Sequence, residues 1–285
     1  MSTVETRLAV LGSPIAHSRS PELHTAAYRA LGLDWSYGRF DVDESTLGAF
    51  LDARGGGWRG LSLTMPLKSA VIPRCATVSE TAELAGAVNT LVFDDGGPRA
   101  AAHGHNTDVD GFRSALREVG AVPSRVDLLG AGNTAASAVV AVAGLGARRL
   151  RVLARRPERA RPLADLARRL GLDVEVVELS SFVADDEVDL VVDTIPDGRH
   201  VHVRYPADVR ARATLFEAVY DPWPPAMAAL WLDVGGRVVT GLDLLVHQAV
   251  GQVRLFVRPE DEAVALPDAT LVGIMRAALG VSSGH

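Results

Sequence analysis

The chain has 285 residues, 48% of them hydrophobic and 22% charged, with a net charge of -6 and a pI near 5.8. That length exceeds what one hydrophobic core usually fills and predicts two domains, while the acidic balance excludes a general nucleic-acid or acidic-membrane binder. Cys75 is the only cysteine, which excludes an internal disulfide and a cysteine metal cluster.

The first residues lack a basic region followed by an apolar core and a cleavage site. No apolar run approaches the ~20 residues that span a bilayer. A cytoplasmic protein is expected. In chain order, residues 7–12 read as a short buried strand. Ser20 reads as the cap of a helix over 21–31, with Pro21 at its first position and Gly32 ending it. A strand over 35–42 and a helix over 44–53 follow, stopped by Gly55-Gly56-Gly57. Residues 61–64 form a strand cut off by Pro66, which places Lys68 at the start of the next helix. Residues 87–93 are a strand and 94–98 a turn. From Asp108 the units become regular. Helices are predicted over 108–119, 133–145, 157–170 and 225–234. Strands are predicted over 126–129, 150–153, 174–179, 190–194, 215–219 and 238–240. This alternation means parallel βαβ units in a doubly wound sheet. Two further helices, over 242–256 and 267–279, precede a short tail over 281–285.

Of the 29 basic residues one is lysine, Lys68, and the remaining 28 are arginine. Arginine keeps its proton at any working pH, whereas lysine exchanges one, so a lone lysine suggests proton chemistry as readily as a solvated survivor. The clearest local signal is Val126-Asp127-Leu128-Leu129-Gly130-Ala131-Gly132-Asn133-Thr134-Ala135. A strand runs through Gly-x-Gly-x-x-Ala into a helix. The first glycine makes the turn, the second admits a pyrophosphate, and the small third residue packs helix on sheet. The next strand ends Ala154-Arg155-Arg156-Pro157-Glu158-Arg159, without the carboxylate that binds NAD ribose. Arg155 and Arg159 suit the 2′-phosphate of NADP, and Arg161, Arg168 and Arg169 read as a solvated helix face. His103-Gly104-His105 and His200-Val201-His202 lack a cysteine cluster or carboxylate–histidine motif beside them, so no metal is expected.

The polar segments of the first half come in a definite order. Gly12-Ser13-Pro14-Ile15-Ala16-His17-Ser18-Arg19-Ser20-Pro21 is followed by Gly60-Leu61-Ser62-Leu63-Thr64-Met65-Pro66-Leu67-Lys68. Gly86-Ala87-Val88-Asn89-Thr90, Asn106-Thr107-Asp108 and the glycine turn come next, then Val219-Tyr220-Asp221-Pro222 and Gly241-Leu242 through Gln248. This order, over almost the whole chain, resembles the shikimate dehydrogenase family.

The resemblance implies an α/β protein with a discontinuous substrate domain and an inserted Rossmann-type doubly wound parallel-sheet domain. The boundaries would be 1–107 plus 242–285 for the first and 108–241 for the second. It implies reversible reduction of 3-dehydroshikimate to shikimate with NADPH, by a monomer or homodimer. Carried over by position, Lys68 and Asp108 are the catalytic pair. Ser18, Ser20 and Tyr220 would hold the substrate carboxylate, and Ser62, Thr64, Asn89 and Gln248 the rest of the substrate. Gly130, Ala131, Gly132, Asn133 and Thr134 would carry the pyrophosphate, and Ala154, Arg155, Arg156 and Arg159 the adenosine phosphate. Thr194, Ala218 and Gly241 complete the cofactor set. Three positions depart from the family pattern: Ser62 for the common asparagine, Asn133 for the third glycine, and Asp193-Thr194-Ile195 for Asn-Ala-Thr. A quinate/shikimate dehydrogenase, an aminoshikimate-type enzyme and a catalytically silent NADP-binding paralogue are the alternative readings.

Overall fold

The computed structural model describes residues 5–94, 100–196 and 203–281. The expected turn at 94–98 lies outside the described residues beyond Asp94, as do His200-Val201-His202 and all of the tail beyond Val281. The chain divides into two compact units, Met1–Thr107 with Val246–His285, and Asp108–Leu245.

The first unit begins with β1 (Thr6–Gly12), α1 (Ser20–Ala30), β2 (Trp35–Asp41), α2 (Leu47–Ala53) and β3 (Trp58–Leu63). It continues through α3 (Leu67–Ala70), β4 (Thr77–Val78), α4 (Glu80–Ala85), β5 (Thr90–Phe93) and β6 (Ala102–His105). Its six strands run in the order β2-β1-β3-β5-β6-β4. β1 pairs parallel with β2 and β3, but β3/β5 and β5/β6 are antiparallel, so this sheet is mixed. Leu11, Leu61, Leu63, Leu67, Leu91 and Phe93 form one buried cluster on it. Each such side chain contributes about 1.5–3 kcal/mol by leaving water.

The second unit holds α5 (Asp108–Glu118), β7 (Arg125–Leu129), α6 (Asn133–Gly144), β8 (Arg149–Ala154), α7 (Pro157–Arg169) and β9 (Asp173–Glu178). Then come β10 (Leu190–Asp193), α8 (Ala207–Arg212), β11 (Thr214–Glu217), α9 (Ala226–Asp233) and β12 (Val238–Thr240). All six strands are parallel in the order β12-β11-β10-β7-β8-β9. The order reverses at β7, the strand that feeds the glycine turn, and ligands of open α/β sheets bind at such a switch point. Helix α10 (Gly241–Phe256) starts in this unit and ends in the first, and α11 (Asp268–Leu279) follows.

Several differences from the sequence reading have local causes. Ser20 is not the helix cap: Arg19 holds that position, without a side-chain cap bond, and buried Ser20 is the first helical residue. The Ser18 hydroxyl instead accepts the Ser20 N–H at 3.4 Å. The helix expected from residue 44 begins at Leu47, because the Asp43 carboxylate accepts N–H bonds from Ser45 and Thr46, both at 2.9 Å. Those bonds fix a turn that competes with the helix, and with the two hydroxyls they pull the Asp43 pKa down to about 2. The strand expected over 87–93 starts only at Thr90. Ala87, Val88 and Asn89 bond instead to Ala82, Lys68 and His105 in three different segments. The short elements β4, β6, α4 and α8 were not apparent in the sequence pattern.

Candidate active site

In the first unit, four chain segments converge on the ends of β3 and β5. The Ser13 N–H donates to the Met65 carbonyl at 3.0 Å, tying the loop of Ser18 to the loop of Thr64. Gly12 lies so close to the Thr64 methyl that any Cβ there would overlap it. Thr64 donates its N–H to Leu11 at 2.9 Å and its carbonyl accepts from Leu67 at 2.8 Å, which turns the chain into α3. Lys68 is half-buried on this one-turn helix, and its carbonyl accepts the Val88 N–H at 2.7 Å. The Leu63 N–H donates to the Asn89 carbonyl, also at 2.7 Å. The segments that carry Lys68 and Asn89 are therefore tied together through the backbone.

Asn89 is buried and held at both ends of its amide. Its Oδ1 accepts from the Thr107 N–H at 2.9 Å and from Thr90 Oγ1 at 2.8 Å. Its Nδ2 donates to Thr107 Oγ1 at 2.9 Å and to Gln248 Oε1 at 3.4 Å. Ser62 is 3% exposed; its hydroxyl accepts from Tyr37 at 2.6 Å and donates to Gln252 Oε1 at 2.8 Å. The one proton of Ser62 is thus committed inside the protein. Any further bond it makes is as an acceptor. Gln252, Thr90, Tyr37 and His24 were missed by the sequence reading, although Gln248 and Gln252 stand four apart on one helix and so share a face.

In the second unit, Asp108 opens α5 and is 4% exposed. Gly130 has a φ of +107°, and a Cβ there would overlap Thr194 Oγ1, which donates to the Leu129 carbonyl at 2.7 Å. Gly132 sits at the N-cap of α6 without a side-chain cap bond, and a Cβ there would meet nothing within 4 Å. The amides of Asn133 and Thr134 begin a helix of 12 residues that no side chain caps, an arrangement that suits a phosphate. Ala131 is exposed beside them.

Ala154 ends β8, and Arg155, Arg156 and Arg159 beyond it are exposed. No carboxylate partner for these three exists among the described residues. Three others of the arginine cluster are paired. Arg151 is buried and forks onto Asp127, its Nε to Oδ1 at 2.7 Å, while the Tyr205 hydroxyl donates to Oδ2 at 2.7 Å. Arg149 pairs with Glu175 and Arg168 with Asp165 at the surface.

Ala218, Tyr220 and Gly241 come together: Gly241 packs on the Ala218 carbonyl with no room for a side chain, and the Tyr220 ring edge lies 3.1 Å from where a Cβ would stand. Glu217, which precedes Ala218 in the chain, belongs to a pair that the sequence did not announce. Asp193 and Glu217 are register partners at the carboxyl ends of β10 and β11, 0% and 1% exposed. Burial first, and the Asp193 charge second, push the Glu217 pKa up to about 8. Glu217 is therefore protonated at neutral pH, and Asp193 sits beside a neutral acid.

No group of three or more potential metal ligands occurs among the described residues. His103 is paired with Asp94 at 2.9 Å on β6. Neutral hydroxyls and amides around one lysine in the first unit suit a small polyhydroxylated molecule. An uncapped helix and unpaired guanidinium groups in the second suit a nucleotide phosphate. With no acid at the end of β8 and open space over Gly132, this chain's residues fit NADP.

The chain is similar to known proteins over most of its length. A family model described as the shikimate dehydrogenase substrate binding domain matches residues 10–91. The shikimate dehydrogenase (NADP(+)) of Methanothermobacter thermautotrophicus is 35% identical over 91% of this chain and 94% of that protein. The crystal structure of Mycobacterium tuberculosis shikimate dehydrogenase superposes with a TM-score of 0.81 at 36% identity, covering 95% of this chain and 99% of that one. The Thermus thermophilus shikimate 5-dehydrogenase in complex with NADP(H) and shikimate gives a TM-score of 0.79 at 29% identity over 96% and 99% of the two chains.

Proposed function

The chain belongs to the shikimate dehydrogenase family, and from that premise we propose that it reduces 3-dehydroshikimate to shikimate with NADPH, reversibly. The first unit is the substrate domain and the second the NADP domain. No helix among the described residues is long and apolar enough to cross a membrane; the proposed setting is the cytoplasm and the proposed state a monomer or homodimer.

When bound, the cofactor supplies a hydride to the ring ketone. Everything else falls to side chains. Lys68 gives its Nζ proton to the ketone oxygen as that oxygen gains charge, and is reprotonated from solvent. Arginine would stabilise the charge without readily releasing a proton, which is why the chain's single lysine stands here. Asp108 orients the ammonium and accepts from the neighbouring ring hydroxyl. Thr64, Asn89 and Gln248 bind ring hydroxyls, and Ser62 contributes a lone pair. Ser18, Ser20 and Tyr220 bind the carboxylate. Asn133 and Thr134 present N–H groups to the pyrophosphate, and the Gly130-Ala131-Gly132 turn lets it approach. Ala154, Arg155, Arg156 and Arg159 receive the adenosine phosphate; Thr194 offers the cofactor a hydroxyl, and Ala218 and Gly241 line the nicotinamide end.

The observation that carries the cofactor choice is the acid-free end of β8 with three arginines lacking carboxylate partners. The test is an absorbance assay with NADP⁺ or NAD⁺ against shikimate or quinate. NADP⁺ with shikimate should be fastest. Faster oxidation of quinate with NAD⁺ overturns the reading.

A further inference from the structure

Gln252 is 2% exposed, one turn beyond Gln248 on α10, and all four bonding positions of its amide are used. Nε2 donates to the Asn89 carbonyl at 3.1 Å and to Thr90 Oγ1 at 3.0 Å. Oε1 receives Ser62 Oγ at 2.8 Å and His24 Nε2 at 3.1 Å. A backbone carbonyl only accepts, so the NH₂ end must face Asn89 and the amide has one orientation.

Every neighbour's orientation follows from that one. His24 must carry its proton on Nε2, which leaves Nδ1 to accept from the Tyr28 hydroxyl at 3.0 Å. The ring is neutral, since complete burial lowers its pKa to about 3. Tyr28 and Tyr37 remain protonated donors because burial pushes both phenols upward. Ser62 donates to Gln252 and so accepts from Tyr37. Thr90 accepts from Gln252 and so donates to Asn89 Oδ1. The Thr107 N–H, which can only donate, meets the same Oδ1, so the two bonds together define it as the acceptor and turn the Asn89 NH₂ to Thr107 Oγ1 and Gln248 Oε1. Donors therefore run in one direction, from two buried tyrosines through a histidine and a serine to Gln252, and on to Asn89 and Gln248.

We propose that Gln252 is a positioning residue: through Thr90, and alongside the Thr107 N–H, it holds the Asn89 and Gln248 amides in the orientation they present to the bound ring. This rests on the proposed function, in which those two residues bind ring hydroxyls. A flipped amide meets a hydroxyl with the wrong partner and leaves a buried polar group unmade. Gln252 touches neither substrate nor cofactor on this account, so its loss should fall on substrate binding rather than on the proton transfer.

The test compares steady-state kinetics of Gln252→Leu, Gln252→Glu and Thr90→Val with the unaltered chain, using NADP⁺ and shikimate. Gln252→Leu and Thr90→Val should each raise the KM for shikimate roughly 10-fold or more, with the KM for NADP⁺ within about twofold. Gln252→Glu should make the KM for shikimate rise with pH, because only its protonated form can donate to Asn89 or Thr90. The groups facing that position are His24, Ser62, Thr90 and the Asn89 carbonyl, with Tyr28 and Tyr37 behind them; none is charged. An unchanged KM for shikimate in Thr90→Val, or an equal rise in both KM values, overturns the proposal, and this arm decides if Gln252→Leu does not fold. A ¹⁵N spectrum of His24 in the intact chain should show the Nε2–H tautomer at pH 5; the Nδ1–H tautomer overturns the proposal without reference to activity. An unaltered chain that does not oxidise shikimate overturns the proposed function instead.

Discussion

The two units meet their ligands with opposite kinds of polarity. At the strand ends of the mixed sheet the polar side chains are neutral, buried and bonded to one another, as Ser62, Asn89, Gln248 and Gln252 are. At the strand ends of the parallel sheet they are ionisable, and either exposed without carboxylate partners among the described residues, as Arg155, Arg156 and Arg159 are, or buried side by side, as Asp193 and the protonated Glu217 are. The difference matches the ligands. A small polyol offers hydroxyls whose direction matters, so the groups that read it gain from being fixed in advance. A phosphate offers charge that long exposed guanidinium groups can find without a rigid frame.

The most damaging change should be at the single proton donor. Lys68→Ala should lower kcat by ~10²–10⁴-fold while NADPH binding, followed by fluorescence titration, stays intact. Turnover near that of the unaltered chain would remove Lys68 from the reaction.

Next comes a buried charge pair of the parallel-sheet unit. Asp127→Ala leaves Arg151 and Tyr205 without their partner. Breaking such a pair from one side costs about 3–5 kcal/mol, which calorimetry should read as a clear fall in Tm. An unchanged Tm would mean that the pair adds nothing to stability.

Smaller, and confined to one ligand, is the effect of removing exposed arginines. Arg155→Ala with Arg159→Ala should raise the KM for NADP⁺ roughly 10-fold or more and leave the KM for shikimate alone. A matching rise for shikimate would break the division of labour.

The smallest effect is on pH dependence. Glu217 binds its proton more tightly folded than unfolded, with a folded pKa of about 8 against an ordinary 4.5. Between those values the folded chain holds more protons, so its contribution falls as pH rises from about 4.5 and is lost through about 8. Tm should therefore decline across that window, and Glu217→Gln should flatten the decline. An identical slope in the variant would show that another group sets it.

The sequence by itself determined the second unit nearly strand for strand. Its signals are local: apolar runs of strand length, a glycine turn at Gly130 and Gly132, and arginines in place of an acid after Ala154. Lys68 also stood out by composition alone, and the family's ordered motifs gave it a role. The sequence could not show that β5 and β6 run antiparallel beside β3, since that pairing joins segments whose patterns are short and broken by Gly60 and Gly104. Nor could it announce the two pairings decided by tertiary structure, Asp193 beside Glu217 and Gln252 between Ser62 and Asn89. Gln252 and Ser62 are 190 residues apart. A serine, a glutamine and a histidine read singly are ordinary polar residues, and what each donates or accepts is set by the others once burial removes water as an alternative partner.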